Sequence, residues 1–362
     1  MRWLTIALLL ALPLLSGPAA PAANVAVGQV QAPQNAEKRL RGIELYRQGK
    51  FVEAIKSLEG AVKENKTDHE AWYYLGLAFF QQPKKIKDAI NAFETAIELR
   101  PQFAAAHIAL SYTSLRQNRF SEAVRESRAA LSIDPKLAEP HYIIGLVHVR
   151  AGDSEEALNE AREALRLNPN FHAAYLLKSQ ALISAYANKA LGSTRFSQTS
   201  PRTPEQIAER SKRRLEAAAL LKEAGETLQT YLKLNPSEPS AELWQDQLAT
   251  LKVYGSYTGD KSNLSDAPVA AEEVTTKARI LAKPEPAYTE LVRRAQVTGK
   301  VVLRVVLSSD GTVRHILVLA GLPHGLTEAA MTAARQVKFT PAMIDGRPVS
   351  MFVQIEYFFN LY

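Results

Sequence analysis

The residues best equipped for chemistry are seven histidines, and the chain has no cysteine. Zero cysteines exclude thiolate catalysis, Cys-ligated zinc, iron–sulfur clusters and a disulfide framework. His141 and His148 fall two turns apart on one expected helix, but no third ligand accompanies them, so no metal site is expected. His107 and His141 are 34 residues apart and occupy the position that Trp72 holds earlier, which marks them as packing residues. Gly321-Leu322-Pro323-His324-Gly325 precedes an expected helix. Its backbone N–H groups could meet an anion, but a structural turn accounts for it. The spacings G-x-x-x-x-G-K-[ST], H-E-x-x-H and G-x-S-x-G are absent. Acidic residues are spread as on any solvated helix face, and no pair stands out. No catalytic residue, metal or cofactor is expected, so the chain reads as a non-enzyme.

What remains is a chain built to present surfaces, and the elements that present them are legible. Pro101, Pro135 and Pro169 are each 34 residues apart. Ala54, Ala89, Ala123 and Ala157 recur at 35, 34 and 34, and Ala61, Ala96, Ala130 and Ala164 follow seven residues later. Gly42, Gly76 and Gly145 keep the same phase, with Ser111 in the remaining unit. A period of this length means a stack of helix pairs that cannot bury their apolar faces alone. Small residues let helices approach where they cross, and Pro ends the second helix of each pair. Four units are expected, over about 35–68, 69–103, 104–137 and 138–171, with one extra residue near Pro83–Lys87. A fifth starts at His172 and is interrupted by a polar loop, Tyr186–Pro201. Thr203-Pro204-Glu205-Gln206 then starts a helix about twice the usual length, and Ser240–Val253 is the cap an open stack requires.

Within one unit the order Trp72-x-x-Leu75-Gly76-x-x-Phe79, Ala89-x-x-x-Phe93-x-x-Ala96, Pro101 resembles the tetratricopeptide repeat. That resemblance implies a superhelix whose concave groove is lined by the first helix of each unit. The residues expected there are Arg39, Ile43 and Tyr46; Tyr73, Leu77 and Phe80; Ile108, Tyr112 and Leu115; and Tyr142, Leu146 and Val149. Arg47, Arg116 and Arg150 share one phase, with Gln81 in the second unit. Aromatics flanked by Arg suit an extended or helical peptide of acidic character; the competing reading is an architectural stack with a solvated Arg edge. The Lys/Asn set that clamps a C-terminal carboxylate in some members of the family is missing, since Arg39 and Ile43 stand in the first unit.

Beyond Ile280 the period changes to two. Val301, Leu303, Val305 and Leu307 alternate, Ser309-Asp310-Gly311 supplies a hairpin turn, and Val313–Leu319 returns. Leu326, Ala330, Ala333 and Val337 give one short amphipathic helix, and Met351 through Phe359 is a last long strand. Residues 254–278 are turn-rich and read as a linker.

Taken in order, Pro286-Ala287-Tyr288, Gly299-x-Val301, Asp310-Gly311, Ala329–Ala334, Phe339-Thr340-Pro341-Ala342, Gly346-x-Pro348-Val349 and an aromatic end strand resemble the C-terminal domain of TonB. Tyr288-Thr289 stands where that family usually has Tyr-Pro. The resemblance implies docking on outer-membrane receptors, whose short extended box peptide is added to the sheet edge. Three strands leave an edge with unpaired backbone groups, and the strand expected to offer it is Met351, Phe352, Val353, Gln354, Ile355, Glu356, Tyr357, Phe358 and Phe359. The competing reading is an edge that is covered, or that pairs with a second copy in a homodimer. TonB itself reaches an inner-membrane motor through a membrane helix carrying a His and a Pro/Lys-rich spacer. Here residues 1–35 hold no His, and the 19 prolines are scattered.

The start of the chain is an address. Met1-Arg2 is followed by apolar Trp3–Leu15, a break at Ser16-Gly17-Pro18 and small residues through Ala23. That order is a secretory signal peptide, or a short membrane anchor if uncleaved. The composition of the 362 residues, 46% hydrophobic and 22% charged with a net charge of +7, is ordinary globular. The charges are dispersed, which argues against nucleic acid as a partner. The expected organisation is a signal or anchor over 1–22, a repeat array with capping helix over 35–253, a linker over 254–278 and a TonB-like domain over 279–362. The fold class is an all-α superhelix followed by a small α+β domain with a three-stranded antiparallel sheet. The expected function is periplasmic protein–protein interaction. An outer-membrane receptor or other envelope protein would sit on the sheet edge and a peptide or protein in the groove, with energy-coupled transport or passive scaffolding both open.

Overall fold

The computed structural model describes residues 34–193, 203–237, 241–256, 268–271, 273–287, 298–322 and 325–360. The expected signal sequence and the Gly321–Gly325 turn's Pro323 and His324 lie outside them. The chain divides into two compact units between Phe171 and His172.

The first unit is four helix hairpins: α1 (Gln34–Arg47) with α2 (Phe51–Glu64), α3 (His69–Phe80) with α4 (Ile86–Leu99), α5 (Ala104–Arg116) with α6 (Phe120–Ile133), and α7 (Ala138–Ala151) with α8 (Ser154–Leu167). Pro101, Pro135 and Pro169 each stand two residues past a second helix. The turn inside a hairpin needs one left-handed residue, supplied by Gly49, Asn118 and Gly152 at φ 73°, 59° and 88°. The second hairpin has the extra residue and closes with a 3₁₀ turn, Pro83–Lys85, instead. Small residues sit where helices cross. A Cβ on Gly76 would lie 2.6 Å from the Phe93 ring, and one on Gly42 would lie 2.5 Å from Leu58. Ser111 replaces glycine in the third hairpin and uses its hydroxyl, which donates to the Ala123 carbonyl at 2.6 Å and accepts from Ser127 at 2.7 Å.

The second unit begins with three long helices, α9 (His172–Ser193), α10 (Pro204–Leu234) and α11 (Ala241–Gly255). The loop expected from Tyr186 is helical as far as Ser193. Burial explains the difference: Tyr186 and Ala187 are inside, and that packing overrides the weak local preference. The sheet follows in the order β3 (Val313–Ala320), β2 (Gly299–Leu307), β7 (Met351–Phe359), antiparallel throughout. β3 carries a bulge in which His315, at φ 48°, adds an extra residue between the pairs Arg304–Leu317 and Val306–Arg314.

Both sheet faces are used. Val301, Leu303, Val305, Ile355, Tyr357 and Phe359 pack on Leu326, Ala330 and Ala333 of α12 (Leu326–Arg335). The opposite face meets α9 and α11, which lie against β3. The compact unit that holds the sheet begins at His172, so the array expected over 35–253 spans both units.

Of the stretch expected as a linker over 254–278, the described residues make ordered contacts. Tyr254 is buried in α11. Val269 bridges to Met351 in parallel, and Thr276 bridges to Met343. Next, β1 (Arg279–Ala282) pairs with β4 (Lys338–Thr340), and β5 (Ala342–Ile344) pairs with β6 (Arg347–Val349). Strand edges need partners for their backbone groups, and residues 268–282 supply some of them.

Candidate interaction surfaces

The repeat residues expected to line a groove are placed mostly inside. Ile43, Tyr46, Tyr73, Leu77, Phe80, Ile108, Tyr112, Leu115, Tyr142 and Leu146 are buried, while Val149 is half-buried. Rings join one repeat to the next where Tyr46 meets Tyr74 at 6.2 Å and Tyr112 meets Tyr142 at 6.5 Å, while Tyr73 meets Phe103 at 5.0 Å and Tyr142 meets Phe171 at 5.1 Å at the ends of their own repeats. Burial pushes the hydroxyls of Tyr73, Tyr112 and Tyr142 above the ordinary tyrosine range. These aromatics serve the stack. A stripe at helical spacing does not distinguish a groove lining from a joint between repeats.

The arginine phase is a set of brackets. Arg116 donates to the Phe80 carbonyl at 3.1 Å and lies over the Phe80 ring at 5.1 Å. One repeat later, Arg150 donates to the Asn118 side chain at 3.2 Å and lies over Phe120 at 5.3 Å. Each guanidinium thus caps the C-terminal end of the preceding first helix or its turn, where the orphan carbonyls and the helix dipole favour a cation. Arg39 is committed as well, with Nη1 at 3.0 Å from both carboxylate oxygens of Asp68, the N-cap of α3. Arg47, in the first unit, is exposed.

His107 is buried and His141 half-buried, and each has a polar partner that the spacing does not reveal. His107 Nδ1 is 2.7 Å from Glu126, and His141 Nδ1 is 2.7 Å from Glu160. The Glu126 hydrogen bond raises the His107 pKa, and the His107 hydrogen bond lowers that of Glu126. Among the described residues no group of three His, Asp or Glu is arranged to hold a metal.

The last strand is an edge. Among the described residues β7 pairs with β2 along its whole length and, on its other side, only with Val269 at its start. The Phe352 N–H donates outward to the Val269 carbonyl at 3.0 Å. Because side and backbone directions repeat every two residues, Gln354, Glu356 and Phe358 aim their backbone groups outward too. Lys283 Nζ reaches the Glu356 carbonyl at 3.0 Å and stands 4.9 Å from the centre of the Tyr357 ring. Met351, Phe352, Ile355, Tyr357 and Phe359 are buried, Val353 and Glu356 are half-buried, Gln354 is exposed, and Phe358 is 60% exposed. Burial pushes the Tyr357 hydroxyl up to about 12.

One cluster lies outside the sequence expectations. Arg304, at the centre of β2, has its guanidinium carbon 5.4, 5.9 and 6.0 Å from the rings of Phe352, Tyr186 and Tyr254. Its Nη1 donates to the Tyr186 hydroxyl at 2.7 Å, and the Tyr254 hydroxyl donates to the His315 carbonyl in the bulge at 3.0 Å. One cation therefore ties α9, α11 and β7 together. The signal was present: residues 301–307 are apolar at both parities except Arg304, which implies two buried faces rather than one.

Residues 284–361 match the family described as Gram-negative bacterial TonB protein C-terminal. Residues 39–85, 84–138 and 138–171 match tetratricopeptide repeat families. No curated protein matches the chain. Among solved structures, a crystal structure of MamA is 18% identical with a TM-score of 0.42, covering 57% of this chain and 96% of that one. MamA from Desulfovibrio magneticus RS-1, residues 41 to the end, is 18% identical with a TM-score of 0.42, covering 58% and 100%. A thermophilic TPR protein of Thermus thermophilus is 18% identical with a TM-score of 0.43, covering 60% and 99%.

Proposed function

This chain joins tetratricopeptide repeats to a TonB-type C-terminal domain, two protein-interaction modules, and we propose that it is an exported envelope protein that docks on outer-membrane receptors through the outer edge of β7. The observation that carries the reading is the row of outward backbone groups at Gln354, Glu356 and Phe358, on a strand held rigidly by β2 and α12. An extended segment of a receptor satisfies those groups as a fourth strand, and its side chains meet the exposed Phe358 and Gln354. The charged, apolar and small-residue order of residues 1–23 supports export. The repeats engage a second polypeptide through their remaining accessible surface, Arg47 included. This reading leaves the buried aromatics and the bracketed arginines to the stack. A cleaved chain acts as a periplasmic scaffold, whereas a retained anchor allows energy coupling.

Gln354→Pro tests the docking. The lost N–H faces away from β2, so the sheet survives as edge strands tolerate Pro, while an added strand loses a partner and meets the ring. Capture of a purified TonB-dependent receptor by the full chain is expected to fall at least tenfold. Unchanged capture refutes docking at this edge.

A further inference from the structure

Residues 268–270 lie on the same edge that the docking reading assigns to a partner. The Val269 N–H donates to the Ser350 carbonyl at 2.9 Å, and its carbonyl accepts from the Phe352 N–H at 3.0 Å. Val269 and Ala270 are buried there. The contact then stops. The Ala270 N–H turns to the Glu273 carboxylate at 2.5 Å, and the Glu273 N–H donates back to the Ala270 carbonyl at 2.9 Å. Further along, the Lys283 ammonium takes the outward carbonyl of Glu356. The chain therefore fills both ends of its own docking edge with groups that are held by few bonds.

We propose that Val269 and Lys283 are built-in occupants of the β7 edge, a pseudo-ligand that an incoming strand must displace. The inference rests on the docking reading for its consequence but not for its structure. A single-residue bridge is a weak form of strand pairing: two hydrogen bonds hold it, and among the described residues no neighbour extends it. Its hold comes from tethering. Thr276 bonds both ways with Met343, at 3.0 and 2.8 Å, which keeps the segment beside the sheet at high local concentration. Displacement exposes the small apolar pair Val269-Ala270 and frees the outward groups of Ser350, Phe352 and Glu356, so that a partner gains a continuous edge from 350 to 358. The same device blunts the edge in the absence of a partner and disfavours pairing between copies.

The test uses the full chain and two readouts. Val269→Pro removes the N–H that holds the bridge. Hydrogen exchange at the Phe352 amide is expected to accelerate about tenfold, as loss of a locally opening contact does, while the Ile355 amide, which faces β2, is unchanged. A synthetic peptide copying residues 265–274 is then added. It is expected to bind Val269→Pro at least tenfold more tightly than the unaltered chain, and Val269→Pro combined with Gln354→Pro is expected to keep the vacated start of the edge available to it. Equal peptide binding by the unaltered chain and Val269→Pro, or an unaltered Phe352 exchange rate, overturns the proposal. Receptor capture separates the two readings. Faster Phe352 exchange with no receptor binding leaves the occupant in place and defeats docking. Receptor binding that is equal in the unaltered chain and in Val269→Pro keeps docking and defeats the competition.

Discussion

Gly76 and Gly60 put the packing of the repeats to a test in which the same substitution has opposite signs. Both glycines are inside helices, where alanine is favoured by up to about 1 kcal/mol. At Gly60 the nearest atom to an added Cβ is Lys38 Cδ at 3.3 Å, in the flexible stem of a side chain that is 47% exposed and ion-paired with Glu64 at its tip. Gly60→Ala keeps most of the helix gain. At Gly76 the added Cβ falls 2.6 and 2.7 Å from two carbons of the Phe93 ring, and Phe93 is fully buried. Carbon atoms rest at about 3.5–4.0 Å, so the ring must shift by roughly 1 Å in a packed interior. Overpacking of this kind costs about 1–3 kcal/mol, and the absence of any open side of the ring places Gly76→Ala at the upper end. Subtracting the helix gain leaves about 2 kcal/mol of net destabilisation. A unit of this size moves by about 2–4 °C per kcal/mol. Thermal unfolding followed by circular dichroism is expected to fall by about 4–8 °C for Gly76→Ala and to rise by about 2 °C for Gly60→Ala. Phe93→Leu in the Gly76→Ala background should recover part of the loss, because the two sites share one volume. A Gly76→Ala melt at or above that of the unaltered chain would refute the account of why a small residue stands at the crossing.

His107 and Glu126 give the first unit a pH signature. The raised His107 pKa contributes stability that is complete below 6.5 and is lost as pH rises through the folded value; the lowered Glu126 pKa contributes stability present above 4.5 and lost as pH falls through its folded value. The pair therefore acts most strongly between those limits, and the penalty of His107→Ala in urea unfolding is expected to be larger at about pH 5.5 than at about pH 8.5. Arg304→Met removes one hydrogen bond and three ring contacts that join α9 and α11 to the sheet. A loss of about 2 kcal/mol is expected in the unfolding of the second unit, and Arg304→Lys, which lacks the planar fork, should recover little of it.

Much of the fold could be read from the chain because its signals are local. Pro101, Pro135 and Pro169 terminate helices by their own covalent geometry, and Ala and Gly at fixed phase report crossing helices whatever lies beyond them. The alternation at Val301–Leu307 and the turn at Asp310-Gly311 set the hairpin in the same way. The features that differ are those decided by contact at a distance. Tyr186 looks like the start of a polar loop until Arg304, from β2, is placed beside it. Residues 268–278 look like a linker because their composition is turn-rich, yet the unpaired edges of β7 and β5 recruit them. Ring positions such as Tyr46 and Tyr112 have the spacing of a groove, but a ring of the next repeat packs against each. The order β3-β2-β7 puts β7 at an edge among the described residues; that Val269 and Lys283 occupy part of it depends on pairing that no spacing records.

The central claim is that β7 receives a strand from another protein, and amide exchange in the full chain measures this directly. On adding a purified TonB-dependent receptor, the Gln354, Glu356 and Phe358 amides are expected to slow together, while Ile355 and Tyr357, already bonded to β2, stay as they were. Slowing that is confined to the repeats, or no change at those three amides in a complex that demonstrably forms, would contradict the claim.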